Sequence, residues 1–320
     1  AWAPKRMDLF TLPSAHDPVP LPWSTMLSVH ESRHVTQMQF GQTKALKPLN
    51  YIVGESWNIL TFLLYPGASL ANMEGDAVIA ETSFTPSGRG RSADFLNYFW
   101  VSLDNGIYRD WFRWRYPSQK HYAPSYYALG YLTIGGFRYL YDYPYFISDA
   151  LHYSAENMFH IGSIFRQTEK ASGKKFNDAF TEVCDTMLTL WRCSSDKRKP
   201  YIHSEQLTED GKHYTEYSEI VPVGADVYAI KKGYADASTL VRIDSEGNEK
   251  RVSSFSGNTG GLRWSESGHE LYWSEITSDK RWSLKTRATI RHMDPNEKKK
   301  NDISNSHFLN NPSKSDEKGN

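Results

Sequence analysis

The chain has 320 residues, of which 39% are hydrophobic and 23% charged, a balance that can build a sizeable core in about two domains. Its 37 basic and 37 acidic side chains cancel, so the composition predicts no general attraction to nucleic acid or to anionic lipid. The longest apolar run, around Ile59 to Ala71, is broken by Pro66 and Gly67, so no transmembrane segment is expected in this chain.

The beginning of the chain is rich in proline and predicts irregular or extended structure up to residue 23. It starts with Ala1 and not with Met, so we expect that an N-terminal segment is missing. The absence of a visible signal peptide therefore says nothing about export. The two cysteines, Cys184 and Cys193, could form one disulfide but no framework, which leaves the redox compartment open.

Apolar patterns predict helices between residues 24 and 192. Ser24 or Thr25 can cap the first helix, and Gly41 ends it. The stretch "TPSGRGR" (85–91) predicts a loop. The predicted helices cover residues 24–40, 51–65, 73–82, 93–104, 126–141, 148–168 and 176–192.

The character of the sequence changes at the charged stretch "SSDKRKP" (194–200), which is typical of a linker. After it, apolar residues alternate with polar ones, as in half-buried strands. The change predicts two domains, a mainly helical one over residues 1–196 and an all-β one over residues 197–320.

A weak internal repeat suggests what the β part is. Acidic and small residues recur in the turn-like stretches "TEDGK" (208–212), "SESGH" (265–269) and "SDEKG" (315–319). The stretches begin 57 and 50 residues apart, and repeats of about this length are typical of propeller blades. The stretch "LRWSESGHELYWSE" resembles the TolB-like propeller repeat, with Glu266 and Ser267 in place of its usual Pro-Asp. A propeller closes with about four to eight blades, so we expect only part of one here.

The stretch "HESRH" (30–34) has the form of a zinc-peptidase helix. His30 and His34 are four residues apart, so on a helix both imidazoles lie on one face and can bind the same ion. Glu31, rotated by about 100° from His30, would lie beside the open metal position, where it could take a proton from the water and pass it to a leaving amine. The alternative is a solvated helix face on which these residues are incidental.

Zinc needs a third protein ligand and accepts a carboxylate or an imidazole. Glu74, in "NMEGDAVIAET", begins a Glu-Gly-x-Ala-x-x-x-Glu pattern whose glycine lets another backbone approach closely. Glu81 lies two turns further along the same face, where a carboxylate can hold a metal-bound histidine by its other ring N–H. Asp76 is the alternative for that role. Glu74 could instead be an exposed acid that interacts with the helix dipole.

The paired motifs resemble those of the gluzincin zinc metallopeptidases, the thermolysin and aminopeptidase N group, over residues 1–190. More closely, "APKRMDLFTLP", "HESRHVTQMQF", "EGDAVIAETSFTPSGRGR" and "YYALGY" resemble a set of bacterial envelope proteins that join a gluzincin-like domain to a TolB-like propeller. The resemblance implies bound Zn²⁺, a peptide or protein substrate, and a periplasmic, envelope or extracellular location. It also implies an envelope protein partner bound through the propeller.

The stretch "PSYYALGY" extends the resemblance. Tyr127 and Gly130 resemble a Tyr-x-x-Gly pattern that follows the glutamate helix in gluzincins, which implies that the Tyr127 hydroxyl stabilises the developing oxyanion. Tyr127 could instead pack in an aromatic core, and His121 is an alternative donor to the oxyanion.

Three arginines surround the motifs in sequence. Arg33 could pair with a carboxylate that supports the site or form a surface ion pair. Arg89 and Arg91 could hold a substrate carboxylate or lie in a solvated loop.

The sequence is therefore interpreted as an α+β multidomain chain, a gluzincin-like domain followed by a partial propeller. The predicted function is zinc-dependent peptide hydrolysis, with zinc bound by His30, His34 and Glu74 and with the propeller as a binding module. Two alternatives stay open: a non-catalytic metal-binding scaffold or interaction protein, and a protein that binds no metal.

Overall fold

The computed structural model describes residues 7, 21–40, 48, 51–52, 54, 70–157, 162–255, 258–281, 286–297 and 299–306. The chain divides into two compact units. The first unit contains Ala1–Pro117 and Ala123–Tyr201, and the second contains Ser118–Tyr122 and Ile202–Asn320. The boundary predicted at 196/197 coincides with the end of a helix at Asp196, a few residues before this division.

The described part of the first unit is helical. The helices are α1 Trp23–Phe40, α2 Leu70–Phe84, α3 Ala93–Asp104, α4 Trp111–Arg115, α5 Tyr126–Tyr141, α6 Phe146–Glu156, α7 Ser163–Ser172 and α8 Phe176–Asp196, with a 3₁₀ turn at Arg89–Arg91 between α2 and α3.

The helix predictions mostly hold. The helices predicted at 93–104 and 126–141 are confirmed as α3 and α5. The helix predicted at 24–40 differs from α1 by one residue, because α1 begins at Trp23. The single helix predicted at 148–168 is wrong: Gly162, with φ of 132°, precedes α7, and a right-handed helix cannot pass through that backbone conformation. The helix predicted at 51–65 lies outside the described residues, apart from residues 51, 52 and 54.

Helix α5 is at the centre of the helical core. The Ser125 side chain caps its beginning by accepting from the backbone N–H of Tyr127, and Asp142 ends it in the left-handed conformation. Most of its apolar side chains, among them Leu129 and Phe137, are buried against the other helices. This core positions α2, which carries one half of the candidate site.

Helices α2 and α5 cross in backbone contact. A Cβ added at Gly130 would lie 1.7 Å from the carbonyl oxygen of Ala71, and one added at Gly75 would lie 2.0 Å from the carbonyl carbon of Gly130. Only glycine fits at either position, because the atoms in the way belong to backbone. The close approach expected for the glycine after Glu74 is therefore present.

The second unit consists of antiparallel sheet. The first sheet has the order β1 Thr215–Val223, β2 Asp226–Gly233, β3 Thr239–Ile243 and β4 Glu249–Ser254, and the second has the order β5 Asn258–Ser265, β6 Glu270–Ser278, β7 Thr286–Met293 and β8 Asn301–Ser306. The sheets share one apolar core: Tyr228, Ile230 and Leu240 from the first and Leu262, Leu271, Trp273 and Met293 from the second.

The predicted partial β-propeller is wrong. In the described residues there are two four-stranded sheets, and they do not close into the ring of about four to eight blades that a propeller requires. The repeat that suggested blades is not a structural repeat. Residues 265–269 include the turn of the β5–β6 hairpin, 208–212 precede β1 without joining two strands, and 315–319 lie outside the described residues. The chain is a mixed α+β protein, helical first and β-sheet after.

Two other expectations concern covalent and membrane chemistry. Cys184 and Cys193 both lie on α8, the first buried and the second exposed, and they are not bonded to each other. Within the ranges that the structure describes, every helix is too short or too polar to traverse a lipid bilayer.

The segment after α8 should be the first site of proteolysis. Residues 197–207 are exposed and contain no helix or strand, so a protease can bind this backbone without opening the core. We expect trypsin to cut first after Lys197 or Arg198, as located by mass spectrometry of an early time course. First cuts inside the helices or strands would show that this segment does not separate two stable parts.

Candidate metal centre

Two histidines from α1 and one glutamate from α2 meet in a buried group. The Nε2 atoms of His30 and His34 lie 2.9 and 3.1 Å from the same oxygen of Glu74, Oε2, and 3.1 Å from each other. Both imidazoles are buried, and one ligand atom from each residue lies within 4.8 Å of the others. His30, His34 and Glu74 therefore form a group that could hold a metal ion.

The electrostatics of this group favour a cation. Burial alone would raise the pKa of the Glu74 carboxyl, but hydrogen bonds with His30 and His34 lower it to about 2. Burial alone would lower the pKa of His30, but hydrogen bonds with Glu74 and Glu81 raise it above its usual value. The carboxylates thus stabilise positive charge between the ring nitrogens, whether a proton or a metal ion supplies it. The donor set, two imidazoles and a carboxylate, fits zinc.

Glu81 contacts the ring of His30 from α2. Its Oε1 accepts a hydrogen bond from His30 Nδ1 at 2.6 Å, and its side chain is fully buried. Burial would raise the pKa of Glu81, but hydrogen bonds from Arg89 and His30 lower it below its usual value. A buried anion at Nδ1 fixes the ring of His30 and directs its Nε2 toward Glu74.

Arg89 pairs with Glu81 and is not a solvated loop residue. Its Nε donates to Glu81 Oε2 at 2.9 Å, and its Nη2 donates to Oε1. Gly88 and Gly90 allow this, because a Cβ at Gly88 would lie 2.5 Å from the backbone of Glu81 and one at Gly90 would lie 2.4 Å from the ring of Tyr131. The loop predicted at 85–91 thus lies directly against α2 and brings a guanidinium to the support of His30.

Asp76 does not hold a histidine directly. Its carboxylate is fully buried and accepts from Arg33 Nε and Arg138 Nη2, each at 2.6 Å, and from Gln37 Nε2 at 2.8 Å. Between Asp76 and Glu81, the two carboxylates considered for the histidine-holding role, the structure puts Glu81 in contact with a ring nitrogen. Arg33 thus pairs with the buried carboxylate of Asp76 and does not form the alternative surface ion pair.

Tyr127, from the first turn of α5, lies beside the group formed by His30, His34 and Glu74. Its ring is roughly stacked on that of His30, with centroids 5.9 Å apart and an angle of 26° between the planes, and the Arg89 guanidinium carbon lies 5.2 Å from its centroid. Burial and the neighbouring Glu74 carboxylate raise the pKa of Tyr127, so its hydroxyl keeps its proton at neutral pH. Its predicted role in catalysis stays a prediction.

Three further candidates from the sequence, Glu31, Arg91 and His121, lie in different parts of the structure. Glu31 follows His30 on α1 and is partly exposed, as its proposed role requires. Arg91 Nη2 donates to the backbone oxygen of Thr82 at 3.0 Å. His121 belongs to the Ser118–Tyr122 segment of the second unit.

Gln37 is the residue that the sequence reasoning left without a role. Its Oε1 lies 2.8 Å from Nδ1 of His34. Gln37 therefore contacts the Nδ1 atom of His34, as Glu81 contacts the Nδ1 atom of His30. The available signal was its position three residues after His34, on the same face of α1.

Comparisons of the chain with protein-family models, with curated proteins and with solved structures found no match in any of the three. The function must therefore be argued from the chemistry of the site.

Proposed function

We propose that the helical unit is a zinc-dependent peptide hydrolase of the gluzincin type. The observation that supports the proposal best is the convergence of His30, His34 and Glu74, with Glu31 next to the first histidine on the same helix. A motif with three specified residues in a stretch of five occurs by chance. A partly buried carboxylate from a second helix at hydrogen-bonding distance from both imidazoles is much less easily explained by chance.

Zinc is the metal that this donor set favours. Catalytic zinc sites hold three protein ligands from histidine and carboxylate and keep a further position for water or substrate, whereas calcium and magnesium prefer oxygen ligands only. Zinc in such a site supplies Lewis acidity and a nucleophilic water at neutral pH. His30, His34 and Glu74 would hold it.

Proton transfer falls to Glu31. Its carboxylate accepts a proton from the attacking water as the new carbon–oxygen bond forms, and donates that proton to the amine nitrogen as the peptide bond breaks. Tyr127 keeps its hydroxyl proton and can donate a hydrogen bond to the carbonyl oxygen, which becomes negatively charged. Glu81, held by Arg89, keeps the first histidine in place.

The peptide or protein substrate, the envelope location and an envelope partner are further parts of this proposal and come from the motif resemblance alone. The non-catalytic scaffold is its competitor. Zinc-loaded protein that cleaves no member of a broad peptide library would favour the scaffold.

Metal analysis tests the site itself. Metal-free protein reconstituted with zinc should retain about one zinc ion per chain, and His34→Ala should retain much less after the same dialysis. The matched control is His152→Ala, because His152 is an exposed histidine of α6 paired with Glu156. Equal zinc in His34→Ala and the parent would show that the group does not bind the metal.

A further inference from the structure

Gln37 connects the metal group to the buried ion pairs of Asp76. It lies on α1 one turn after His34 and has no exposed surface. Its Oε1 lies 2.8 Å from His34 Nδ1, while its Nε2 donates to Asp76 Oδ2 at 2.8 Å and to the backbone oxygen of Met73 at 2.9 Å. Every polar atom of the side-chain amide therefore has a partner.

The partners of Gln37 allow only one orientation of its amide. A backbone carbonyl and a carboxylate both accept hydrogen bonds and cannot donate them. Turning the amide by 180° would place its oxygen against Met73 O and Asp76 Oδ2, two contacts between acceptors in a site without water access. The NH₂ group must face these two atoms, so the amide oxygen must face His34.

The orientation of the amide sets the proton of the neighbouring imidazole. An amide oxygen only accepts, so its contact favours hydrogen on Nδ1 of His34, whereas the Glu74 carboxylate favours hydrogen on Nε2 unless a metal ion takes that place. With hydrogen on Nδ1, the lone pair of the neutral ring is on Nε2. Nε2 is the atom that lies 3.1 Å from Glu74 Oε2 and from His30 Nε2. We propose that Gln37, oriented by Asp76, is a positioning residue that keeps His34 in the tautomer whose Nε2 can bind metal.

The carboxylate of Asp76 is itself fixed by two arginines. Arg33 from α1 and Arg138 from α5 each donate to it at 2.6 Å. Asp76 thus acts on His34 through Gln37 and not by contact. His30 and His34 are then held by chemically different groups, an anionic carboxylate for the first and a neutral amide for the second. The neutral partner orients its ring without adding charge to the buried group.

A purely structural role for Gln37 predicts a different behaviour. If Gln37 only joined α1 to α2, its loss would lower stability but would leave the tautomer of His34 unchanged. The tautomer is therefore the property to measure, and it can be measured without metal. Only the consequence for metal binding rests on the proposed function.

The first experiment is nitrogen NMR of ¹⁵N-histidine-labelled, metal-free protein at a pH where the imidazoles are neutral, with His34 assigned by the signal lost in His34→Ala. We expect hydrogen on Nδ1 of His34 in the parent and a mixture of tautomers in Gln37→Leu. Gln39→Leu is the matched control, because Gln39 lies on the same helix and is exposed. Hydrogen on Nε2 in the parent would overturn the proposal, and this result does not require Gln37→Leu to fold.

The second experiment is zinc affinity by competition with a chelator. Loss of a group that orients a metal-bound histidine typically weakens affinity by about 10–100-fold, and we expect a loss in that range for Gln37→Leu and none for Gln39→Leu. Parent-like affinity in folded Gln37→Leu would contradict the positioning role. A parent that binds no zinc would instead refute the proposed function, while the tautomer measured in metal-free protein would still decide the role of Gln37.

Discussion

Glu31→Gln should bind zinc as tightly as the parent and cleave peptide about 10²–10⁴-fold more slowly. The amide keeps the size of the carboxylate and most of its hydrogen bonding but cannot accept the proton of the attacking water. Glu31 is proposed as a base and not as a ligand, so the metal should stay bound. Zinc content and the turnover of a peptide found by library screening are the two measurements.

Glu74→Gln is the informative contrast to Glu31→Gln. It replaces an anionic ligand by a neutral amide that lies within hydrogen-bonding distance of both histidines, so the variant should lose zinc as well as activity. The two variants should thus fail differently, one metal-loaded and inactive, the other poor in metal. Full activity in zinc-loaded Glu31→Gln would refute its role as general base.

Gly130→Ala should destabilise the helical unit by about 1–3 kcal/mol or more. The new methyl group would lie 1.7 Å from the carbonyl oxygen of Ala71, and α2 and α5 must separate to admit it. Helix propensity works in the opposite direction, since alanine is favoured over glycine in a helix by about 1 kcal/mol. The backbone clash is expected to decide the sign. Thermal unfolding followed by helical circular dichroism measures it.

Gly135→Ala is the control on the same helix. A Cβ at Gly135 would meet its nearest atom, Ile79 Cδ1, at 3.8 Å, an ordinary van der Waals contact. The substitution should therefore be neutral or stabilising by up to about 1 kcal/mol. If Gly130→Ala proved as stable as Gly135→Ala, the close crossing of α2 and α5 would not be a feature of the folded protein.

Much of the helical unit was predictable because its signals are local. The extents of α3 and α5 follow from local apolar periodicity, and Ser125 caps the beginning of α5. The break between α6 and α7 was missed because apolar residues on both sides of Gly162, such as Ile161 and Ile164, are compatible with a continuous helix. In the structure α6 ends at Glu156, and Gly162 has a φ of 132°. The β part shows the limit of such reasoning. Alternation predicts strands correctly, but the number of sheets and their closure depend on packing between strands far apart in sequence.

The candidate site divides in the same way. The four-residue spacing in "HESRH" places His30 and His34 on one face of α1, because helical periodicity brings residues i and i+4 together. In the same way, the seven-residue spacing between Glu74 and Glu81 places both on one face of α2. Which groups reach the other ring nitrogens was decided by the crossing of helices. From the sequence, Glu81 was the candidate for holding a histidine and Asp76 the alternative, and Gln37 was given no role.

The sequence by itself thus determined which side chains could hold a metal ion, the spacing of the two histidines and the helices that carry them, because these depend on residues within about two turns. Only the tertiary structure decided that Glu81 and Gln37 orient the two imidazoles and that Arg89 reaches Glu81 from a loop. The physical reason is that a hydrogen bond requires its two atoms to lie within about 3 Å in a defined direction. Between residues on different elements, that distance is set by helix crossings such as the glycine contact of α2 and α5, which depend on the packing of the whole core.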